Sequence, residues 1–289
     1  MLYQSNIITL PLGNNNIIKY LYSKILTMKK YDNIDMQREL EVGILNYAEL
    51  SRKYNISRPT VRAYAKRLGL HKGNKLRLKT HSLNENYFRS IDTPNKAYVL
   101  GFIYADGCNI RRGLQIGINA KDKDVLEFIK KELNASNQLR YIKPVKKNWS
   151  PKYELRVHSK ILSKDLTAAG CPPAKSLILT FPNFLSDNLL SHWLRGYFDG
   201  DGSLIKNSAW RLSITAANKE FIDAIEAYIN LHTSEPIKKY KNSLNSCYSL
   251  QSSKVIIIKE IINLMYTDVS YAMQRKHESA KAFLIEKGG

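Results

Sequence analysis

The sequence is short of cysteine, of long apolar runs and of acid, and each shortage narrows what the chain does. Only three cysteines occur, Cys108, Cys171 and Cys247, odd in number and far apart. With no C-x-x-C pair, neither a zinc site of the usual spacing nor a disulfide framework is expected. A reducing, intracellular compartment fits. No stretch approaches the roughly 18 uninterrupted apolar residues that a membrane-spanning helix needs. Residues 1–27 hold an apolar patch, Ile7–Leu12, but neither a basic start nor a small-residue cleavage site, so no secretion signal is read there. Acid is scarce: 25 Asp+Glu face 45 Lys+Arg, a net charge of +20. Such an excess of base suits a polyanion, either a nucleic acid or an anionic membrane, and without an apolar segment to enter a bilayer the membrane is the weaker reading.

At 289 residues the chain has room for about two domains of roughly 150 residues. Residues 1–35 carry few signals and are expected to be a poorly ordered extension, with Met28 an alternative start to Met1. Residues 36–70 predict three short helices. Ser57 is a good N-cap, Pro59 falls in the first turn where its missing N–H costs nothing, and Gly69 ends the third helix. Val61, Ala65 and Leu68 form one buried stripe, leaving Arg58, Thr60, Arg62 and Lys66 on the other side. This pattern resembles a helix-turn-helix, whose second helix enters the major groove. Residues 36–80 hold eleven Lys/Arg against three Glu, which favours DNA over a merely solvated basic face. Residues 71–83, basic and poor in apolar side chains, read as a linker able to follow a phosphate backbone.

The remainder repeats itself. Tyr98-Val-Leu-Gly-Phe-Ile-Tyr-Ala-Asp-Gly107 returns as Trp193-Leu-Arg-Gly-Tyr-Phe-Asp-Gly-Asp-Gly202, so that Asp106 and Asp201 stand 95 positions apart. Each segment precedes an alternating strand, Leu114–Ile118 and Trp210–Ile214, then a helix, two more strands and a closing helix. The expectation is an α+β fold: a duplicated αββαββα domain with pseudo-twofold symmetry, its halves at 84–190 and 191–289, preceded by a small all-α domain.

Two features of the repeated helices carry chemistry. Small residues stand four apart, Gly101 with Ala105 and Gly196 with Gly200, which lets two helix backbones approach closely. Each helix then ends in Asp-Gly, where the glycine is expected to supply a left-handed exit. The aspartate faces the negative end of its own helix dipole, at a cost on the order of 0.3–1 kcal/mol, and pairing the helices adds repulsion between the two carboxylates. A chain that does this twice has a cation to place there. Mg²⁺ (or Mn²⁺) takes carboxylate and phosphate oxygens together, so Asp106 and Asp201 are the candidate metal ligands and catalytic acids.

The paired segments Val99–Gly107 and Leu194–Gly202 resemble the two signature motifs of LAGLIDADG homing endonucleases of the single-chain type, and the likeness in element order extends over about 84–289. The resemblance implies a monomer whose two sheets form a saddle over double-stranded DNA, and cleavage of both strands to leave short 3′ overhangs. It also implies that the last aspartate of each motif ligates metal. A basic residue near the metal late in each half is implied too: Lys175 in the first, and Lys276 in the second with Arg275 as its rival. Tyr104 departs from the acid often found two places before the metal ligand, where the second copy has Asp199. The glutamine often found past the first strand of each half is replaced by Ala120 and Ala216.

If Leu114, Ile116 and Ile118 point to the helices, alternation sends Gln115, Gly117 and Asn119 to the other face. The same count sends Arg211, Ser213 and Thr215 there in the second half. Glu154, Arg156 and His158 join from another strand, with Ser249 and Gln251 opposite in the repeat. Mixed polar side chains of this kind suit base edges. Two other activities fit the same fold: a DNA-binding regulator that has lost the acids, and an intron-splicing maturase that turns the basic surface to RNA.

Overall fold

The computed structural model describes residues 34–42, 45–70, 81–242 and 247–287. The expected extension before residue 34 and the linker from 71 to 80 lie outside the described residues. The chain divides into two compact units, residues 1–78 and 79–289.

The first unit contains α1 (Ile34–Val42), α2 (Tyr47–Lys53) and α3 (Arg58–Arg67). A capping box starts α2: the Asn46 side chain accepts the Ala48 and Glu49 N–H groups while Glu49 accepts the Asn46 N–H at 2.7 Å. At the start of α3, Ser57 Oγ accepts the Thr60 N–H, and Gly69 takes the positive φ of +68° just past its end. Met36, Leu40, Leu50, Val61, Tyr64 and Ala65 form the unit's own core, with Leu68 packed at its edge.

The second unit contains the duplication. Its first copy is α4 (Pro94–Asp106), β1 (Gly107–Asn109), β2 (Gly113–Asn119), α5 (Lys123–Glu132), β3 (Arg140–Ile142), β4 (Lys152–His158) and α6 (Lys160–Ala168). The second copy is α7 (Asp187–Asp201), β5 (Gly202–Lys206), β6 (Trp210–Ala216), α8 (Lys219–Asn230), β7 (Lys238–Lys241), β8 (Tyr248–Ser252) and α9 (Val255–Tyr266). A further helix, α10 (Gln274–Lys287), follows the second copy. Its sequence opens with polar residues, and its buried stripe is only Lys276, Ala280 and Phe283, so no apolar period announces it. Both sheets are antiparallel and share one order, β1-β2-β4-β3 and β5-β6-β8-β7. The duplicated α+β architecture expected from the repeat is therefore present.

The packed domain begins slightly earlier than its expected boundary. Ser82 donates its N–H to Ser136 Oγ and its hydroxyl to the Asn134 carbonyl, and Leu83 packs on the core. Among the described residues no helix is long and apolar enough to cross a membrane.

Helices α4 and α7 form the spine of this unit. A Cβ built on Gly101 would stand 2.0 Å from the Trp193 carbonyl oxygen, and one on Gly200 would stand 2.2 Å from Ala105 Cβ. The small residues are there because the backbones touch. Leu114, Ile116 and Ile118, with Leu212 and Ile214 in the second sheet, are buried toward the helices as alternation predicts.

A candidate active site at the paired helix ends

The close approach of α4 and α7 sets their C-termini side by side. Asp106 Oδ2 lies 3.4 Å from the point where a Cβ on Gly200 would stand, one residue before Asp201. Each aspartate is followed directly by a strand, and here the glycine expectation needs correcting. Gly107 has φ −82° and Gly202 φ −97°, both extended rather than left-handed. The glycines are required for space instead: a Cβ on Gly107 would meet Ile103 at 2.6 Å, and one on Gly202 would meet Phe198 at 2.2 Å. The chain doubles tightly over the last helical turn, which holds each carboxylate at the root of its sheet.

Both carboxylates are open to solvent, yet the protein crowded around them displaces much of their hydration. Burial pushes Asp106 above the ordinary carboxylate range, partly offset by Lys276 and Lys175. Asp201 is pushed up to about 6, by burial first and by the charge of Asp106 second. The Tyr197 hydroxyl donates to the Thr215 carbonyl at 2.8 Å, and the Thr215 hydroxyl donates to the Asp201 carbonyl at 2.9 Å. These bonds fix the end of α7 against β6.

Two lysines arrive from opposite halves. Lys175, in a short 3-10 turn (Lys175–Leu177), donates to the Ala105 carbonyl at 3.0 Å. Lys276, in the first turn of α10, donates to the carbonyls of Phe198 (2.5 Å) and Gly202 (2.6 Å). Each therefore caps the end of one motif helix, where the dipole favours a cation. An ammonium carries three N–H donors, so both lysines keep some for another acceptor. Lys276 is buried, and burial lowers its ammonium to about 8. The neighbouring Arg275 points elsewhere, into an ion pair with Asp122 at 2.9 Å, so of the two adjacent cations only Lys276 reaches the helix end. Asp199, at the position matching Tyr104, is fully buried; burial raises its carboxyl to about 6, and it accepts bonds from Tyr98, Tyr266 and the Met273 N–H.

Among the described residues no group of three or more His, Cys, Asp or Glu side chains stands together to hold a metal. Two carboxylates alone suit a hard divalent cation that completes its shell with water or substrate phosphate, and they do not suit zinc.

The sheet faces turned away from the helices hold the other candidate residues. On the first, Gln115 donates to Glu154 at 2.7 Å, while Arg156 and His158 are exposed. Asn119 is partly committed, since its side chain accepts the Lys121 N–H. On the second, Arg211 and Thr215 are exposed, Ser213 shares a 2.8 Å hydrogen bond with Ser203, and Gln251 donates to Ser249 at 3.0 Å. Strand register adds residues that alternation does not reveal. Arg140 lies opposite Glu154, Lys238 opposite Gln251 and Tyr240 opposite Ser249, and directly opposed residues share a face. Lys152 joins them as the alternate of Glu154 on β4. Strands β3 and β7 are short, and β7 is exposed throughout, so neither shows an alternation to read. In the first unit, Arg58, Arg62 and Lys66 are exposed on α3. Thr60 is half-buried, with its hydroxyl 2.7 Å from Ser57 Oγ in the cap, so it is less available than expected.

Residues 188–260 match the family model described as a LAGLIDADG-like domain, so the second half of the duplication carries that domain. Among solved structures, mesophilic variants of the homing endonuclease I-DmoI share 18% identity over 61% of this chain and 97% of theirs, at a TM-score of 0.44. The LAGLIDADG homing endonuclease I-LtrWI bound to target DNA shares 15% over 71% of this chain and 91% of its own, also at 0.44. Full-length DUF199/WhiA from Thermatoga maritima shares 16% over 71% of this chain and 65% of its own, at 0.45. No curated protein matches the chain.

Proposed function

We propose that the chain is a site-specific double-strand DNA endonuclease that hydrolyses phosphodiester bonds with Asp106 and Asp201. The observation that carries this reading is the meeting of those two carboxylates at the ends of α4 and α7, each flanked by a lysine on the same helix end. The arrangement carries an electrostatic cost that a bound cation would relieve: both acids oppose a helix dipole, and Asp201 is further raised by Asp106. Asp106 and Asp201 would hold Mg²⁺ (or Mn²⁺), which supplies charge neutralisation and an activated water when bound. Lys175 and Lys276, with donors to spare, meet the charge that develops on the scissile phosphates. Thr215 and Tyr197 keep the Asp201 end of α7 in place.

The two polar sheet faces supply the DNA surface. Gln115, Asn119, Arg156 and His158 in the first half, and Arg211, Ser213, Thr215 and Gln251 in the second, meet base edges and phosphates. Arg140, Lys152, Lys238 and Tyr240 extend that surface. Arg58, Arg62 and Lys66 of the first unit, with Thr60 in a lesser role, contact a flank of the site. Because one chain carries both acids, a monomer is sufficient, and the net charge of +20 supports a polyanionic partner. A regulator would need neither acid, so the presence of the pair favours the nuclease over it; a maturase would use the same basic surface on RNA, and one chain can do both. Incubating the protein with Mg²⁺ and a randomised duplex library, then sequencing the cut ends, tests the reading. A single recovered long site with staggered ends supports it, and intact duplexes throughout would sink it.

A further inference from the structure

We propose that Arg195 and Asp199 are positioning residues: together they strap down the segment joining α9 to α10 and so set Lys276 against the end of α7. The inference rests on the role given to Lys276 above. Arg195 and Asp199 stand one turn apart on α7 and are both buried. Arg195 donates to the Met265 carbonyl at 2.6 Å, the Tyr271 carbonyl at 2.8 Å and Ser270 Oγ at 3.3 Å. Asp199 accepts the Met273 N–H at 2.7 Å and the Tyr266 hydroxyl at 3.3 Å. The cation thus takes the acceptors, and the anion the donors, of one connection between residues 265 and 273.

That connection leads straight to the lysine. The Met273 carbonyl accepts the N–H groups of Lys276 (3.1 Å) and His277 (3.0 Å), so Met273 starts α10. Fixing the Met273 amide fixes the first turn of the helix, and Lys276 lies in that turn. The first half holds the strap, the segment and the start of α10 as well. Tyr98 of α4 donates to Asp199 at 2.7 Å, Asp124 accepts the Tyr271 hydroxyl at 3.0 Å, and Asp122 holds Arg275.

Stability alone does not call for this. Buried charges are costly, and apolar replacements often serve a core as well. The first copy shows the cheaper solution: Leu100 and Tyr104 occupy the matching positions, and the Tyr104 hydroxyl donates to the Ala169 carbonyl at 2.7 Å, on the segment leading to Lys175. In both halves, then, the residue two places before the acid ties down the segment that delivers the lysine. The second half uses a charged pair where its lysine rides on an added helix.

Asp199→Asn tests this, because it keeps the shape but turns an amide NH₂ toward donors. Expected are at least tenfold faster hydrogen exchange at the amides of Met273–His277 with α4 unchanged, and at least a tenfold fall in kcat with KM within threefold. Combined with Lys276→Met, it should slow cleavage no further than Lys276→Met alone. Losses that multiply in the double variant, or unaltered exchange, would overturn the proposal. Should Asp199→Asn not fold, Tyr266→Phe removes one strap bond and should shift exchange and kcat severalfold in the same directions; no shift in either would overturn it. A wild-type protein that never cuts would sink the endonuclease reading instead, and the exchange measurement would still decide whether the strap holds α10.

Discussion

A Cβ on Gly196 would stand 2.0 Å from the Tyr98 carbonyl oxygen, so α4 and α7 meet backbone to backbone at this point. The obstacle is main chain and cannot rotate away. Gly196→Ala should therefore separate the helices, costing about 1–3 kcal/mol as over-packing does, and should reduce cleavage more than DNA binding because it moves the two acids apart. Gly117→Ala is the control: nothing lies within 4 Å of its Cβ, so stability should stay within about 0.5 kcal/mol. Denaturant unfolding of both variants checks this, and equal stability of the two would contradict the packing account.

The acids and Lys276 predict opposite limbs of a pH profile. Asp201, raised from 3.8 to about 6, must ionise before it binds a cation, so Mg²⁺ affinity should rise with pH through about 6. Without metal the sign for stability is the reverse. The folded state holds this proton more tightly than the unfolded one, so its contribution is lost as pH climbs from 3.8 toward 6. The increase in melting temperature on adding Mg²⁺ should accordingly be larger near pH 8 than near pH 5. Lys276, lowered to about 8, loses its charge above that pH, so kcat/KM at subsaturating Mg²⁺ should fall again on the alkaline side. A profile flat from pH 5 to 9 would count against both assignments.

Removing residues 1–80 should leave a protein that folds and cuts but binds more weakly, since both acids and both sheets lie beyond this segment. Every phosphate that the shortened protein no longer neutralises should lower the salt slope of log K by about 0.9. If Arg58 or Arg62 reads a guanine, its removal should cost about 1–3 kcal/mol and relax preference only at the flank of the site. Titrations at several salt concentrations with footprints decide this; an unchanged slope and footprint would assign the first unit to another partner.

One chain per DNA site is expected, because both acids come from a single polypeptide. Light scattering of the DNA complex measures it directly, and two chains per site would contradict the monomer.

The repeat makes most of this architecture legible. Paired small residues announce the touching helices, the two Asp-Gly ends mark the candidate site, and alternation gives the buried face of β2 and β6. What stays hidden depends on distance along the chain or on steric detail. Arg195 and Asp199 find their partners about 70 residues later, and no local pattern encodes that. Lys276 and Arg275 are adjacent, and only the ion pair to Asp122 separates them. Gly107 and Gly202 suggest conformational freedom, whereas the structure uses their missing side chains.

The most direct test of the central claim compares Asp106→Asn and Asp201→Asn with the unaltered protein on its recovered site, measuring cleavage of each strand and DNA binding together. The account predicts that either substitution abolishes double-strand cleavage and leaves affinity within about tenfold, since the acids hold metal rather than DNA. Cutting of both strands at the unaltered rate by either variant would contradict it.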